Sequence, residues 1–458
     1  MDLFDNIGPL DYRYYGRNEK EFEKLKPFLS ENARINYQLK VELALIKTLA
    51  KRGICSDDVV KEVEEAVKKV TAKEVYEEED RIRHDIRSLA NSIRNKVSDK
   101  AKPFVHFTST SFDIVNTAEA LRFKEFSEVL IETMKELEKT LIEMARREKD
   151  TVQIGRTHGQ HGDPITFGFA IAEYVSRFGN CIKKVKDANL VGKFSGAVGA
   201  YNASSLFFDD PEEFEKEILG ELGLKPATHS TQITEPEYTL DFIHSIVSGF
   251  GVIANLADDM RNLQRSEIAE IGEAFEAKQV GSSTMPHKRN PINFENVKSM
   301  WKQFMPRINT VYMDQISEHQ RDLTNSASSR FIPELLAGFY LSIKRLNKTM
   351  AKMSVDKDNL QKNFDINKEM VLAEAIYIIL AAHNHPDAHE YVRELTLESQ
   401  KTGKPPRELL NEDPDMKQFL DKFTDKQKEI INSPEKYIGI ASEKTVKVCN
   451  FWEKELKL

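Results

Sequence analysis

Between Tyr238 and Leu263 the chain reads Tyr-Thr-Leu-Asp-Phe-Ile-His-Ser-Ile-Val-Ser-Gly-Phe-Gly-Val-Ile-Ala-Asn-Leu-Ala-Asp-Asp-Met-Arg-Asn-Leu. Its large apolar residues recur at three- and four-residue steps, at Phe242, Ile246, Phe250, Ile253, Leu256, Met260 and Leu263. This spacing places them on one face of an α-helix. Since residues 237–285 contain no proline, we predict one helix from Tyr238 to Ala274, on the order of 55 Å long. Such a helix needs partners of similar length, so the stretch predicts a bundle of long helices.

The same helical spacing continues on both sides of this stretch. Leu121–Ala145 and Leu335–Met353 carry further apolar stripes, so we predict a mainly α-helical (all-α) protein. A chain of 458 residues is expected to form two or three domains. Lys102-Pro103 and the change to shorter helices near residue 350 are the predicted boundaries. The predicted domains are an N-terminal helical domain (1–103), a central long-helix bundle (104–350) and a C-terminal helical domain (351–458).

The composition is typical of a folded, soluble protein, with 40% hydrophobic and 31% charged residues. The net charge of −8 argues against a general nucleic-acid binder, which needs a basic surface. Cys55, Cys181 and Cys449 are scattered without a CxxC pair, so neither a disulfide nor a zinc site is predicted. The first residues do not resemble a signal peptide, and no apolar run approaches the roughly 18 residues of a membrane span. We therefore predict a cytoplasmic protein that binds neither nucleic acid nor membrane.

The run Gly281-Ser-Ser-Thr-Met-Pro-His-Lys-Arg-Asn-Pro291 is the strongest candidate for carrying chemistry. Glycine and proline interrupt the surrounding helical pattern, which predicts a loop. A serine hydroxyl is a poor base in water, but a nearby cation such as Lys288 favours its deprotonated form. The loop is therefore a candidate base-carrying lid, although most Ser-Ser pairs lie in ordinary polar loops. The residues alone do not choose between Ser282 and Ser283.

This run resembles the signature loop of the fumarase/aspartase superfamily of lyases, and its His-Lys-Arg-Asn-Pro ending resembles adenylosuccinate lyases and carboxymuconate cycloisomerases. The resemblance recurs in at least four separated segments and covers roughly residues 9–335. It implies the superfamily's three-domain fold with a central long-helix bundle. It also implies that Ser282 is the catalytic base. The ligand contacts that it implies on and after the loop are Ser283, Lys288, Asn290 and Asn296.

A second segment, Gly155-Arg-Thr-His-Gly-Gln-His161, contains two histidines three residues apart. On a helix they would share a face and could bind zinc, but no third ligand is placed nearby and the glycines favour a loop. A histidine that titrates near neutrality suits general acid catalysis. The segment resembles the superfamily's Gly-Arg-Thr-His-Gly element, which implies that His158 is the proton donor and Thr157 a ligand contact. The resemblance also implies that Glu295 pairs with His158.

Two further segments are rich in hydrogen-bonding side chains. Arg83-His-Asp85 alone is a weak signal, but it resembles the family's His-Asp element. This implies that His84 contacts a substrate phosphate or carboxylate, and whether it also joins acid catalysis is left open. The run His106-Phe-Thr-Ser-Thr-Ser-Phe-Asp113 begins a helical stretch, where its hydroxyls could either cap the helix or hold an anion against free backbone N–H groups. The ligand contacts implied in these two segments are Arg83, Asp85, His106, Thr110 and Ser111.

Three other elements resemble nucleotide-binding residues of adenylosuccinate lyases. Arg321 and Arg330 flank Ser326 in a phosphate-binding Arg…Ser…Arg pattern, and Arg13-Tyr14 resembles that family's Arg-Tyr pair for the nucleotide phosphate. Basic side chains that converge on one dianion suit a nucleotide monophosphate. Gln232 resembles the family's Thr-Gln element. In contrast, the cluster His383, His385 and His389 has metal-like spacing but falls in the loosely matching C-terminal part, where a structural or surface role is favoured.

The resemblance implies an adenylosuccinate lyase activity in purine biosynthesis. The reaction would be the β-elimination of fumarate from adenylosuccinate, giving AMP, and from succinylaminoimidazole carboxamide ribotide, with a serine base and a histidine acid. It implies a homotetramer with sites shared between subunits, and no metal or organic cofactor. A 3-carboxymuconate cycloisomerase is the alternative, but it has no use for phosphate-binding arginines. A non-catalytic helical scaffold is the third, and intact Ser282, His158 and Lys288 argue against it.

Overall fold

The computed structural model describes residues 5, 7–275, 278, 283–285, 287–316 and 319–458. The helices are α1 (Glu19–Leu29), α2 (Glu31–Lys51), α3 (Asp57–Val67), α4 (Ala72–Ile82), α5 (Asp85–Arg94), α6 (Ser111–Arg147), α7 (Phe167–Asp187), α8 (Pro211–Glu221), α9 (Glu237–Leu263), α10 (Ile292–Phe304), α11 (Arg307–Met313), α12 (Ile332–Lys352), α13 (Lys357–Asn367), α14 (Leu372–Ala382), α15 (Ala388–Thr402), α16 (Pro406–Glu412), α17 (Lys417–Leu420), α18 (Asp425–Asn432) and α19 (Ala441–Leu456). The strands are β1 (Val152–Thr157), β2 (Gln160–Thr166), β3 (Ile271–Gly272) and β4 (Ser354–Val355). With 66% helix, the predicted mainly α-helical class is confirmed.

The predicted helix from Tyr238 to Ala274 is wrong at its C-terminal end. Helix α9 ends at Leu263, after 27 residues or about 40 Å. The apolar stripe also stops at Leu263, and the polar residues that follow form a turn in which Ala269 takes a left-handed φ of 51°. By length and composition α9 could cross a membrane, but 72% of its most apolar window is buried inside the protein. It is a buried core helix.

The chain divides into two compact units. The first unit comprises Met1–Met134, Cys181–Gly251 and Ser299–Lys344. In its core the ring of Phe250 packs against Phe304 and Phe339, with ring centroids 6.3 Å and 5.3 Å away. These rings are fully or almost fully buried, so they remove a large apolar area from water.

The second unit comprises Lys135–Asn180, Val252–Lys298 and Arg345–Leu458. It contains the antiparallel hairpin of β1 and β2 and the two-residue pairing of β3 with β4. Its C-terminal helices enclose a hydrophobic core that includes Leu372, Leu380 and Phe419. The three predicted domains do not coincide with these two units, and the three-domain division stays a prediction.

Candidate active site

A cavity of about 620 Å³ in the first unit gathers eight of the predicted site residues. They come from the junction of α4 and α5, the start of α6, the turn before α9 and the segment before α12. These residues are Arg83, His84, Asp85, Ser111, Gln232, Arg321, Ser326 and Arg330. The fold therefore brings together side chains from four segments that are far apart in the sequence.

Arg321 is the most unusual group of this cavity. Its guanidinium lies over the ring of Phe112, 5.5 Å from the centroid. Its Nε and Nη1 atoms are buried and have no hydrogen-bond partner among the residues that the structure describes. Burial lowers the pKa of Arg321, opposed by the charges of Asp322 and Asp314, yet arginine remains protonated in proteins. A buried cation with unused donors is costly on its own, so this wall suits an anionic ligand.

His84 stands between two helices at the cavity wall. Arg83 ends α4 in the left-handed region (φ 59°), and His84 caps the start of α5. The backbone N–H of Arg87 donates to His84 Nδ1 at 3.3 Å. Because Nδ1 accepts this bond, the proton of the neutral imidazole resides on Nε2. The cap therefore fixes the tautomer of a half-exposed histidine beside the cavity.

Two buried carboxylates, those of Glu42 and Asp113, bind the backbone of the segment from His106 to Asp113. Glu42 on α2 accepts the backbone N–H of His106 at 3.1 Å and lies 2.7 Å from its Nδ1. Burial opposes protonation, but the charge and hydrogen bond of Glu42 prevail and raise the pKa of His106. Asp113 accepts the N–H of Thr110 at 2.9 Å and pairs at 2.5 Å with fully buried Lys193. His106 and Thr110 do not line the cavity, unlike Ser111.

Arg13 and Tyr14 are placed elsewhere in the first unit. They belong to a single π-helical turn, Leu10–Tyr14, and neither lines the cavity. Arg13 is exposed and Tyr14 half-buried. The structure does not bring them to the other predicted phosphate contacts, and their role stays a prediction.

Sequence reasoning missed several cavity residues. On α6 the lining residues Phe112, Asn116, Glu119 and Phe123 follow helical spacing from the predicted hydroxyl run, so that periodicity could have found them. Asn116 also accepts hydrogen bonds from the backbone and hydroxyl of Thr234, which steadies the turn beside Gln232. Arg34 lines the cavity from α2 without any surrounding motif, so no local signal marked it.

In the second unit the segment predicted as a loop around His158 is a β-hairpin. Thr157 pairs with Gln160, and His158 and Gly159 form the two-residue turn with φ of 55° and 74°. Left-handed φ at both central positions is the signature of a type I′ turn, whose twist matches the strands. His158 and Thr157 are exposed at the tip. The hairpin excludes the helical arrangement in which His158 and His161 would share a face.

The strands behind this tip carry a buried ion pair. Arg156 binds the fully buried carboxylate of Glu270 with both terminal nitrogens, at 3.2 Å and 2.5 Å. His161 Nδ1 lies 3.1 Å from the side-chain amide of Asn367 on α13. Burial, followed by the positive charge of Arg156, lowers the pKa of His161. The charge of Arg156 therefore acts directly on the imidazole of His161.

The predicted base Ser282 lies outside the described residues. Among its neighbours, Ser283 and Lys288 are exposed, and the backbone N–H of Lys288 donates to the carbonyl of Met285 at 3.0 Å. Asn290, which is half-buried, accepts the N–H of Ile292 at 2.9 Å through its carbonyl. Of the predicted signature loop, the structure thus describes residues 283–285 and 287–291.

Glu273 joins the chain before this loop to the chain after it. Its carboxylate accepts the N–H groups of Asn293 and Phe294 and the side-chain amide of Asn293, at 2.8–3.3 Å. An acid at the start of α10 satisfies free N–H groups and complements the helix dipole. Burial raises the pKa of Glu273, and the charge of Glu295 adds to the rise.

Glu295 and Asn296 lie in the first turn of α10, exposed and half-buried respectively. Within the described part of the chain, Glu295 and His158 share no hydrogen bond or ion pair. Their pairing stays a prediction.

The three histidines of the C-terminal part, for which a structural or surface role was favoured, contact other residues of the same chain. His383 Nε2 lies 3.2 Å from Gln427 Oε1 and its ring stacks on Phe423. The rings of His385 and His389 pack against neighbouring aromatic rings. Across the described ranges, no group of three or more His, Cys, Asp or Glu residues could hold a metal ion. The observed contacts are structural ones.

Comparisons with known proteins give consistent relatives. A family described as "Lyase" matches residues 13–305, and one described as "Adenylosuccinate lyase C-terminal" matches residues 317–438. The chain is 35% identical to the adenylosuccinate lyase of Archaeoglobus fulgidus, over 98% of this chain and 100% of the relative. It is 34% identical to that of Pyrococcus abyssi, over 98% of each. The solved 3-carboxy-cis,cis-muconate lactonizing enzyme of Pseudomonas putida shares the fold, with a TM-score of 0.82 at 20% identity and coverage of 99% of this chain and 100% of that one.

Proposed function

The chain belongs to the adenylosuccinate lyase family of lyases, and on this premise we propose that it cleaves adenylosuccinate to AMP and fumarate. Succinylaminoimidazole carboxamide ribotide is the proposed second substrate. In this β-elimination a base removes the proton on the carbon next to a carboxylate. The carbon–nitrogen bond then breaks and an acid protonates the departing nitrogen. Fumarate and the amine leave, so no oxidant or co-reactant is consumed.

The observation that carries the proposal is the pair of buried nitrogens of Arg321 in the first-unit cavity, which have no hydrogen-bond partner among the described residues. A nucleotide monophosphate supplies the dianion that such donors need. Arg330 and Ser326 stand on the same wall, and Phe112 offers an apolar face. The cavity volume of about 620 Å³ is within the range of small-molecule sites. These features support a nucleotide-like ligand in this cavity.

The roles of individual residues follow from the family resemblance. Ser282 is the proposed base and His158 the proposed acid, oriented by Glu295. Lys288 and Asn290 would hold the substrate carboxylate on which charge develops, which is where fixed positive charge lowers a barrier most. His84 is a ligand contact with its protonated Nε2 available. The remaining proposed substrate contacts are Arg13, Tyr14, Arg83, Asp85, His106, Thr110, Ser111, Thr157, Gln232, Ser283, Asn296, Arg321, Ser326 and Arg330.

The proposed assembly is a cytoplasmic homotetramer whose sites are shared between subunits. The resemblance to adenylosuccinate lyases supports this assembly, and most soluble oligomers are homo-oligomers with cyclic or dihedral symmetry. Light scattering of the purified protein tests this directly. A mass near four times the 52.6 kDa chain is expected, and a monomer at working concentration would refute the shared site.

The decisive experiment follows the absorbance change of adenylosuccinate with the purified protein. Release of AMP and fumarate, identified by chromatography, is the expected result. Turnover of 3-carboxymuconate without turnover of adenylosuccinate would assign the chain to the cycloisomerase alternative. Turnover of neither substrate, together with no binding of AMP, would favour a non-catalytic scaffold.

A further inference from the structure

The carboxylate of Glu270 connects three separate parts of the second unit. It is fully buried, and each oxygen accepts two hydrogen bonds. Oε1 accepts from Arg156 at 2.5 Å and from Asn363 of α13 at 2.9 Å. Oε2 accepts from Gln153 at 2.8 Å and from Arg156 at 3.2 Å. The backbone of Glu270 adds bonds to Leu263 at the end of α9 and to Asp356.

Two of these donors, Gln153 and Arg156, lie on β1, where the pairing of the hairpin is irregular. Residues three apart on a regular strand point to opposite faces of the sheet. The register shifts between the pairs Ile154–Pro164 and Arg156–His161, so Gly155 of β1 faces two residues of β2 and the bulge lies on β2, opposite Gly155. A Cβ on Gly155 would lie 2.4 Å from the carbonyl oxygen of Asp163, so no larger residue fits there. Next to this bulge, Gln153 and Arg156 both donate to the same buried acid.

Strand β1, which Glu270 binds through Arg156, leads directly into the turn that carries His158. Arg156 is two residues before His158. The backbone of His158 is left-handed, and its imidazole is exposed. The hydrophobic contacts of Ile154 with Phe364 and Val371 fix the base of the hairpin but lie further from its tip. The Arg156–Glu270 pair on β1 and the contact of His161 with Asn367 on β2, which involve directly paired residues, are therefore the polar anchors closest to the turn.

We propose that Glu270 is a positioning residue for the reaction, which sets the place and the charge environment of His158 through Arg156 of β1. The proposal rests on the proposed role of His158 as general acid. A displacement of a catalytic group by about 1 Å can lower a rate by about 100-fold, so rigid support near the tip matters. Glu270 also neutralises Arg156, whose charge would otherwise disfavour an imidazolium on the same hairpin.

The test compares Glu270→Gln with Asn363→Ala in the full-length protein. Both remove bonds at one carboxylate, but only the first breaks the ion pair with the hairpin. For Glu270→Gln we expect kcat to fall at least about tenfold with KM within about threefold. The alkaline limb of the kcat profile should move to lower pH, because Arg156 is left uncompensated. Asn363→Ala should keep kcat within about twofold and leave the limb in place.

A charge-neutral double variant, Arg156→Gln with Glu270→Gln, separates charge from position. It should return the alkaline limb to its wild-type pH while kcat stays low. Wild-type kcat and an unmoved limb in folded Glu270→Gln would overturn the proposal. Equal losses in Glu270→Gln and Asn363→Ala would reduce Glu270 to a general structural role and overturn it as well.

A second readout does not depend on catalysis. In protein with isotope-labelled histidine, the His158 ring signals are identified by their absence in His158→Gln. They should shift in Glu270→Gln and remain unchanged in Asn363→Ala. If the wild-type protein cleaved no substrate, the proposed function would fail while these signals still decided the role of Glu270. Unchanged His158 signals in Glu270→Gln would overturn the proposed positioning role of Glu270, even if the enzyme is active.

Discussion

Arg321 in the first unit and Arg156 in the second are both largely withdrawn from solvent, but their hydrogen bonding is opposite. Arg321 keeps two buried nitrogens without partners in the described structure, beside a cavity. Arg156 is bound on both terminal nitrogens by a buried carboxylate. The first arrangement leaves binding capacity for a ligand, and the second uses it to hold the backbone. We therefore expect substitutions in the first unit to act on substrate affinity, and substitutions in the hairpin to act on turnover and stability.

The largest effect is expected at the proposed acid and base. His158→Ala and Ser282→Ala should each lower kcat by about 100-fold or more, since a positioned acid or base contributes roughly 10²–10⁴. His158 is exposed at the hairpin tip, so its loss should leave thermal unfolding unchanged. Steady-state kinetics with adenylosuccinate, alongside circular dichroism melting, measures both. Wild-type turnover in either variant would remove that residue from the chemistry.

The paired arginine should matter most for stability. Arg156→Met leaves Glu270 as a buried, uncompensated charge, so we expect a loss of about 3–5 kcal/mol in the free energy of unfolding. Denaturant unfolding at neutral pH measures the loss. Arg393→Met is the control, because its pair with Glu390 is exposed to solvent and should contribute little to stability. Similar small losses of stability in both variants would contradict the expected role of the Arg156–Glu270 pair in stability.

Arg321 should matter for affinity instead. Arg321→Met removes two buried donors that have no partner in the part of the chain that the structure describes, so the ligand-free protein should unfold at the same temperature or slightly higher. Its KM for adenylosuccinate should rise by roughly 10- to 100-fold, the value of a charged hydrogen bond. Arg307→Met, outside the cavity and paired with Glu334, is the control with an unchanged KM. A large stability loss with unchanged KM would reverse the assignment.

Glu138 and Glu270, two buried acids of the second unit, also differ in their hydrogen bonding, and the expected effect is smaller. Glu138 on α6 is fully buried, and both its oxygens lack hydrogen-bond partners among the described residues, unlike those of Glu270. Burial raises the pKa of Glu138 well above its usual value, so the folded state holds the protonated form. Its stability contribution is greatest below the unfolded pKa and falls as pH rises.

Glu138→Gln should therefore match the wild type near pH 4, below the ordinary glutamate pKa of about 4.3, and exceed it by about 1–3 kcal/mol at pH 8 in denaturant unfolding. Exposed Glu136→Gln on the same helix should show no such trend. A constant difference at all pH values would refute the buried titration.

The smallest effect is expected at an acid pair near the hairpin. Burial, with the hydrogen bond and charge of Glu374, raises the pKa of Asp163 to about 6. The stabilising proton is present at low pH and is lost as pH rises through 6. Asp163→Asn should flatten the stability profile between pH 4 and pH 7 by less than about 1 kcal/mol, because the exposed pair is screened by solvent. Asp421→Asn, also exposed, should leave the profile unchanged; an equal flattening there would contradict the assignment.

The parts that the sequence predicted are those with local signals. The apolar stripe predicted α9 as far as Leu263, where the stripe itself ends, but the absence of proline was mistaken for continued helix. Ser111 and Gln232 were found by motif and do lie at one cavity.

The parts that it missed depend on residues far apart in the chain. The hairpin around His158 was predicted as a loop because a two-residue turn with a left-handed histidine has no strong local signal. The Glu270 network joins residues 153, 156, 270 and 363, whose meeting depends on the whole fold. Arg34 reaches the cavity from an ordinary helix, and only the tertiary arrangement reveals it.

Helix α9 also constrains how the chain is made. Its Phe242 packs on Phe123, which is translated earlier, whereas its Phe250 packs on Phe339, which leaves the ribosome about ninety residues later at roughly 5–20 residues per second. For some seconds, a nascent segment with membrane-like hydropathy therefore lacks its later partners. The segment leaves the ribosome before its own core exists, so chaperones and targeting factors can bind it during synthesis. This exposure constrains the sequence, although the segment is buried in the finished fold.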